Sequence, residues 1–516
     1  MKKVLFLFVI FLTFTLTAFS QVIDYTGKTN PYTKLSQEEK DKKLYDLCDT
    51  YINKDDIDDL KKRTNKAKLL INAGANPNQL IYKKSLLYDS IHSRYFPLVK
   101  VFIDGGADLN FIYDDMHSIL TEMINQKFSK DEIEYAIKKG ARPYLLKDEK
   151  GWAPIIEAIQ KRNLEIVKLL ESYGADLKTK NPWGWSTLVE AARANDLEIV
   201  KYCISKGIKP AHDKNAAPEI FFALSNSNIE MVKYLLENGA DINEPFISNF
   251  GYYVDNLTYP LHSLLESQIL EISDGSYYKC YTPGYLKQVM ELGADPFLKD
   301  GHGRNAIDIS AGIMAKCGFM IYENEYKTQS TIKVNELSAF IKDTEKFIPS
   351  SYKKTAAHAF ITGDTEAFKK YSKTYKSDKH ISVLYQLAVY FNFPNMEENL
   401  TILMNTGIKP SYYNISYQIR YGKYNFAKIL AKNVNLMNGD EKWKHDFVSF
   451  CKNDIYRLFK SDLIKSYCEG FLALGFTPDT LVYDEQSKKQ ITLRKFIELY
   501  DETDSKMGIK IINGIK

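Results

Sequence analysis

The 516-residue sequence is short of cysteine, of net charge and of long apolar runs, and each shortage closes off a class of protein. Six Cys in a chain of this length cannot form a disulfide framework. None stands in a Cys-x-x-Cys pair or at metal-ligand spacing with His, so each is expected to pack as a small apolar residue. A single bridge such as Cys451–Cys468 is left open by spacing. Lys+Arg 69 against Asp+Glu 65 leaves +4, which rules out a strongly basic nucleic-acid binder on bulk electrostatics and leaves no acidic tail. Beyond residue 20, every apolar stretch is interrupted by Lys, Asp or Glu, so no later segment approaches a membrane span. There is no His-Glu-x-x-His, no Gly-x-Ser-x-Gly and no phosphate-cradling glycine loop. The eight His (His92, His117, His212, His262, His302, His358, His380 and His445) have no Cys or carboxylate at ligand spacing. No catalytic group, cofactor or metal is expected.

What is present is a folded composition, 45% hydrophobic and 26% charged. The length suits two or three globular domains or one elongated array. The chain opens Met1-Lys2-Lys3, then runs apolar from Val4 to Phe19 apart from three Thr, with small residues Ala18 and Ser20 before Gln21. That is the layout of a secretory signal over residues 1–20. The rival, an uncleaved anchor, needs about 20 apolar residues, and this run has sixteen. Export, periplasmic or secreted, is therefore expected, with no membrane span once the signal is removed. Residues 21–40 follow as a linker.

A short phrase then recurs: two apolar residues, two variable ones, Gly-Ala-Asp/Asn, and often Asn two places on. It is seen at Gly74-Ala75-Asn76-Pro77-Asn78, Gly106-Ala107-Asp108-Leu109-Asn110, Gly140-Ala141, Gly174-Ala175-Asp176, Gly207-Ile208, Gly239-Ala240-Asp241-Ile242-Asn243 and Gly293-Ala294-Asp295. Successive glycines lie 32, 34, 34, 33, 32 and 54 residues apart. Before each Gly runs a helical stripe such as Leu164, Val167, Leu169, Leu170 or Ile229, Val232, Leu235, Leu236. Glycine ends that helix in a left-handed conformation. A polar turn follows, as in Lys180-Asn181-Pro182-Trp183-Gly184, and a second helix begins at Ala153-Pro154, Ser186-Thr187 or Ala217-Pro218.

The unit resembles the ankyrin repeat. The closest match runs from Asp148-Glu149-Lys150-Gly151-Trp152-Ala153-Pro154 through Ile166-Val167-Lys168-Leu169-Leu170 to Gly174-Ala175-Asp176. Tyr259-Pro260-Leu261-His262 keeps three letters of the family's Thr-Pro-Leu-His, and Asp300-Gly301-His302-Gly303-Arg304 keeps its hairpin; the full tetrapeptide never occurs. The resemblance covers residues 41–312 and implies an all-α solenoid of stacked antiparallel helix pairs with projecting hairpins. It also gives His262 a hydrogen-bonding role between neighbouring turns. Gly301-His302-Gly303 falls in the hairpin register and reads as a turn. Physics agrees with the stack, since one unit of this size cannot bury its own apolar face.

Two insertions account for the interval of 54. One, Glu244 to Thr258, carries Tyr252 and Tyr253. The other, about Gln268 to Tyr285, carries Tyr277 and Tyr278. Their rings suit a binding surface or a cover over the stack. Residues 313–350 have no clear period and read as an irregular join. Residues 351–516 read as degenerate ankyrin-like helices, with a separate helical domain as the alternative. Three of the four Trp lie on two neighbouring hairpins: Trp152, Trp183 and Trp185. Trp152 and Trp185 suit packing between hairpins, and Trp183, at a turn apex, suits exposure. The expected function is a monomeric, non-enzymatic scaffold that binds a protein and no nucleic acid. The alternative is an exported enzyme or toxin with its effector in the C-terminal region and the repeats as targeting module.

Overall fold

The structure is a computed structural model. It describes residues 30–49, 55–113, 117–144, 151–210, 217–248, 256–267, 284–322, 327–350, 352, 354–372, 379–438, 442–457, 461–484, 487–501 and 506–514. The leader-like residues 1–20 lie outside this set. So do Tyr252, Tyr253, Tyr277, Tyr278 and Cys280. Two compact units divide the chain, one ending at Ile247 and the other beginning at Ser248.

The first unit is built from helix pairs. They are α1 (Gln37–Asp49) with α2 (Ile57–Asn72), α3 (Leu86–Ile91) with α4 (Phe96–Asp104), and α5 (Ile119–Asn125) with α6 (Lys130–Lys138). Then come α7 (Pro154–Gln160) with α8 (Leu164–Ser172), α9 (Thr187–Arg193) with α10 (Leu197–Ser205), and α11 (Glu219–Ser225) with α12 (Ile229–Glu237). The first helices pack in a row, α1 on α3, α3 on α5, α5 on α7, α7 on α9 and α9 on α11. Their apolar residues are buried almost completely, as at Ile156, Ile159, Leu188 and Ala191. The second helices bury one stripe each, such as Ile166, Val167, Leu169 and Leu170 of α8.

Local chemistry sets these boundaries. Ser85, Ser118 and Ser186 cap first helices by accepting from the amides of Tyr88, Thr121 and Val189. Asn163, Asp196 and Asn228 cap second helices by accepting from Ile166, Ile199 and Met231. Each second helix then stops at the recurring glycine. Gly174, with φ of 95°, stands for the set: a Cβ there would meet nothing within 4 Å, so the backbone angle alone asks for glycine. The Asp of the phrase closes the turn, Asp176 accepting from the Lys178 amide at 2.8 Å and Asp241 from Asn243 at 2.8 Å.

The Asn two places on ties one repeat to the next. Asn78 donates to the Gly106 carbonyl at 3.1 Å and accepts from the Asp108 amide at 2.7 Å. Asn110 does the same to Gly140 and Arg142, at 3.1 and 2.9 Å. At the head of the row α1 reproduces the clamp with two side chains. Gln37 donates to the Gly74 carbonyl at 2.8 Å and Asp41 accepts from Asn76 at 2.7 Å. Between a second helix and the first helix of the next pair, β1 (Leu80–Ile81) pairs antiparallel with β2 (Lys84–Ser85), and β3 (Ile112–Tyr113) with β4 (His117–Ser118), forming the projecting hairpins.

β5 (Phe246–Ser248) and β6 (Asn256–Thr258) are short. In the second unit α13 (Pro260–Ser267) and α14 (Tyr285–Glu291) precede a long pair, α15 (Ala306–Tyr322) and α16 (Lys327–Thr344). This corrects the irregular join expected over 313–350. α15 is buried on several faces, through Ile307, Ile309, Ile313, Met314 and Cys317, against α13, α16, α17 (Ala356–Thr362) and α19 (Lys379–Tyr390). A helix buried on several faces shows no one-sided stripe, which hid it. Further helices follow: α18 (Thr365–Ser372), α20 (Met396–Met404), α21 (Tyr412–Arg420) packed on α22 (Tyr424–Asn438), α23 (Lys442–Arg457) and α24 (Ser461–Ala473). A ribbon of β7 (Leu481–Asp484) and β8 (Lys489–Thr492), then α25 (Leu493–Tyr500) and α26 (Met507–Ile512), complete it. Gly407 and Gly475 repeat the left-handed helix end, with φ of 94° and 82°.

None of Cys48, Cys203, Cys317, Cys451 and Cys468 is in a disulfide, so the bridge Cys451–Cys468 is not formed. Burial pushes the Cys48 thiol up to about 12, and Cys468 likewise, which leaves both protonated. Among the described residues no helix is long and apolar enough to cross a membrane.

Candidate protein-binding surface

The hairpin Lys180–Ser186 is organised by one buried amide. Asn181 Oδ1 accepts from the backbone N–H of both Trp183 and Trp185, each at 2.9 Å. Its own amide donates to the Trp185 carbonyl at 2.9 Å, and Gly184 N–H returns to the Asn181 carbonyl at 2.9 Å. Nδ2 points the other way and donates at 2.6 Å to Glu190 Oε1 of α9. Glu190 is fully buried, and its second oxygen accepts from Arg193 at 2.8 Å. The hairpin is therefore fastened to the helix beneath it through a charge-assisted bond. Gly184, with φ of 84°, makes the tight return.

This fastening aims three indoles along one line. Trp152 meets Trp183 edge-on at 5.1 Å, Trp183 lies 5.5 Å from Trp185, and Trp185 lies 5.4 Å from Phe222. Phe221 and Phe246 extend the row at 5.7 Å. These spacings are those of favourable aromatic pairs. Exposure divides the row. Trp152 is 9% exposed and Trp183 64%. Trp152 thus forms the footing, Trp185 is half-buried between hairpins, and Trp183 presents its ring to solvent.

A second aromatic tip escaped the sequence reading. Tyr82 and Lys83 are the two turn residues of the β1–β2 hairpin, with φ of 48° and 68°. Both lie where glycine or asparagine is favoured. Tyr82 is 82% exposed. The signal was the two-residue gap between Leu80-Ile81 and Lys84-Ser85, hidden because neither turn residue is a customary one.

The second unit repeats the hairpin chemistry with a carboxylate. Asp300 Oδ1 accepts from the amides of His302 and Arg304, at 2.9 and 2.8 Å. Arg304 closes on Asp300 and Glu266, both at 2.7 Å. Gly301-His302-Gly303 is thus a turn, as its register implied. His262 is fully buried and its Nε2 meets the Leu298 carbonyl at 3.0 Å. Burial lowers its pKa to about 4, so the ring stays neutral and structural. Among the described residues no group of three or more His, Cys, Asp or Glu is placed to hold a metal ion.

Residues 173–245 match the family model for ankyrin repeats, in three copies. The chain carries ankyrin repeats. Its all-α stack of antiparallel helix pairs is the ankyrin arrangement, and the Trp183 hairpin lies inside the matched segment. Solved ankyrin structures similar to the chain include the human ASB11 ankyrin repeat domain, at 18% identity and a TM-score of 0.34, covering 46% of this chain and 96% of that one. The ankyrin repeat domain of Bcl-3, a member of the IκB family, is similar at 20% identity and a TM-score of 0.31, covering 46% and 94%. No curated protein matches the sequence.

Proposed function

We propose that the chain is a non-enzymatic scaffold that binds another protein outside the cytoplasm through the exposed tips of its ankyrin hairpins. The observation that carries this reading is Trp183, a large ring 64% exposed yet rigidly held through Asn181 and Glu190. An exposed indole on a rigid support costs little entropy to order, and tryptophan is enriched among residues that dominate binding energy. Trp152 and Trp185 serve as its footing. Tyr82 supplies a second tip. The basic start and apolar run of residues 1–20 support export. The helices of 356–473 support a further helical surface in the second unit in preference to an effector enzyme.

The test is a crosslinking pull-down from the native envelope fraction with wild type and Trp183→Ala. A discrete partner recovered at least tenfold less by the variant, with its unfolding midpoint unchanged, supports the reading. Equal recovery by both removes Trp183 from the interface.

A further inference from the structure

The links between first and second helices carry an unusual backbone. Arg94, Lys127 and Arg162 adopt φ of 54°, 64° and 57°, and Asn195 and Ser227 follow at 56° and 55°. They are spaced 33, 35, 33 and 32 residues apart, one per repeat. A left-handed backbone is strained for any residue with a Cβ, and long side chains gain nothing there that asparagine gains from local hydrogen bonds. At the other left-handed position of the same repeats this chain uses glycine: Gly106, Gly140, Gly174, Gly207 and Gly239. Three consecutive links instead carry a long cation.

All three of these side chains are exposed. Two other cations beside these links are held internally by a buried carboxylate of a first helix: Lys161 with Glu157 at 3.4 Å and Arg193 with Glu190 at 2.8 Å. Arg94, by contrast, donates among the described residues to the neutral amide of Gln126, at 2.9 Å. Lys127 is exposed and makes no ion pair among the described residues. Arg162 is 60% exposed and makes one long ion pair, 3.8 Å, with Asp196, which at such exposure is worth little. Nearby acids are engaged: Glu132 caps α6 by accepting from Ser129, and Glu165 pairs with Lys130 at 3.5 Å.

We infer that Arg94, Lys127 and Arg162 form a docking row for an extended acidic peptide segment. Links and hairpins sit at opposite ends of the first helices, so this row is separate from the Trp183 surface and does not rest on it. Packed helices lie about 8–10 Å apart, and an extended chain advances about 3.3 Å per residue. Neighbouring cations therefore match carboxylates on every third residue of the segment. A continuous phosphate backbone fits less well. Asp196 stands 3.8 Å from Arg162 and would repel charge placed between the cations.

The test uses the full chain and a fluorescent peptide of repeated Glu-Pro-Ser, read by anisotropy. A control peptide of the same composition carries its glutamates in one block. The triple variant Arg94→Gly, Lys127→Gly, Arg162→Gly removes the charges while glycine accepts the backbone. The row predicts at least tenfold weaker binding by the variant with no lower unfolding midpoint, weaker binding of the block peptide, and loss of affinity with salt. Trp183→Ala should bind the peptide like wild type. Equal affinity of wild type and triple variant would overturn the inference, as would absence of peptide binding. So would tighter binding of a single-stranded oligonucleotide of equal charge.

Discussion

Asn181, Glu190 and Arg193 show how one buried amide can turn a loop into a presenting element. The sequence phrase Lys180-Asn181-Pro182-Trp183-Gly184 was legible as a turn. The inward half of the Asn181 network was not, because it depends on a carboxylate nine residues away on a helix. His262 is the complementary case, where the repeat register already implied a structural role and the Leu298 contact fulfils it. Its pKa, lowered to about 4 from an ordinary value near 6.5, has a defined consequence. The unfolded chain takes a proton as pH falls below about 6.5 while the folded chain does not until about 4. The stability present above pH 6.5 is thus lost progressively down to pH 4, by about 3 kcal/mol for this shift. His262→Gln should flatten the fall of unfolding free energy over that window by a comparable amount, measured by denaturant titration at stepped pH. Identical slopes would show that His262 does not titrate as described.

At the scale of elements, most of the first unit could be read in advance. A glycine every 32 to 34 residues, a helical stripe before it and a capping Ser or Asn after it each leave a local trace. Elements without such a trace were missed. α15 is buried on several faces, so its apolar residues form no one-sided stripe, and Tyr82 occupies a turn whose sequence names no turn. The clamp role of Asn78 and Asn110 also needed the neighbouring repeat to be visible. The Lys180–Ser186 hairpin makes a sharp prediction of its own. Asn181→Ala removes two acceptor contacts to the turn amides and the donor to buried Glu190. Leaving that carboxylate short of a partner should cost about 1–3 kcal/mol. Hydrogen exchange should accelerate at the amides of Trp183 and Trp185 well before it does at Ile199 or Val200 of α10. Unchanged protection at the two tryptophans would mean that the amide does not hold the turn.

For the molecule as a whole, the sequence posed a choice between globular domains and an array. The first unit answers with stacked repeats, and the near-neutral charge of +4 then describes a surface patterned repeat by repeat. Aromatic tips project on the hairpin edge, and exposed cations stand at the opposite end of the first helices. Function in such a chain rests on which surfaces are rigid and exposed, and length or composition could not locate them. The most direct measurement places a photoreactive benzoylphenylalanine at position 183, and in parallel at the exposed helical position 233, in the protein in its native setting. The account predicts a discrete crosslinked polypeptide from position 183 and none from position 233. No product at 183, or the same products at both positions, would contradict it.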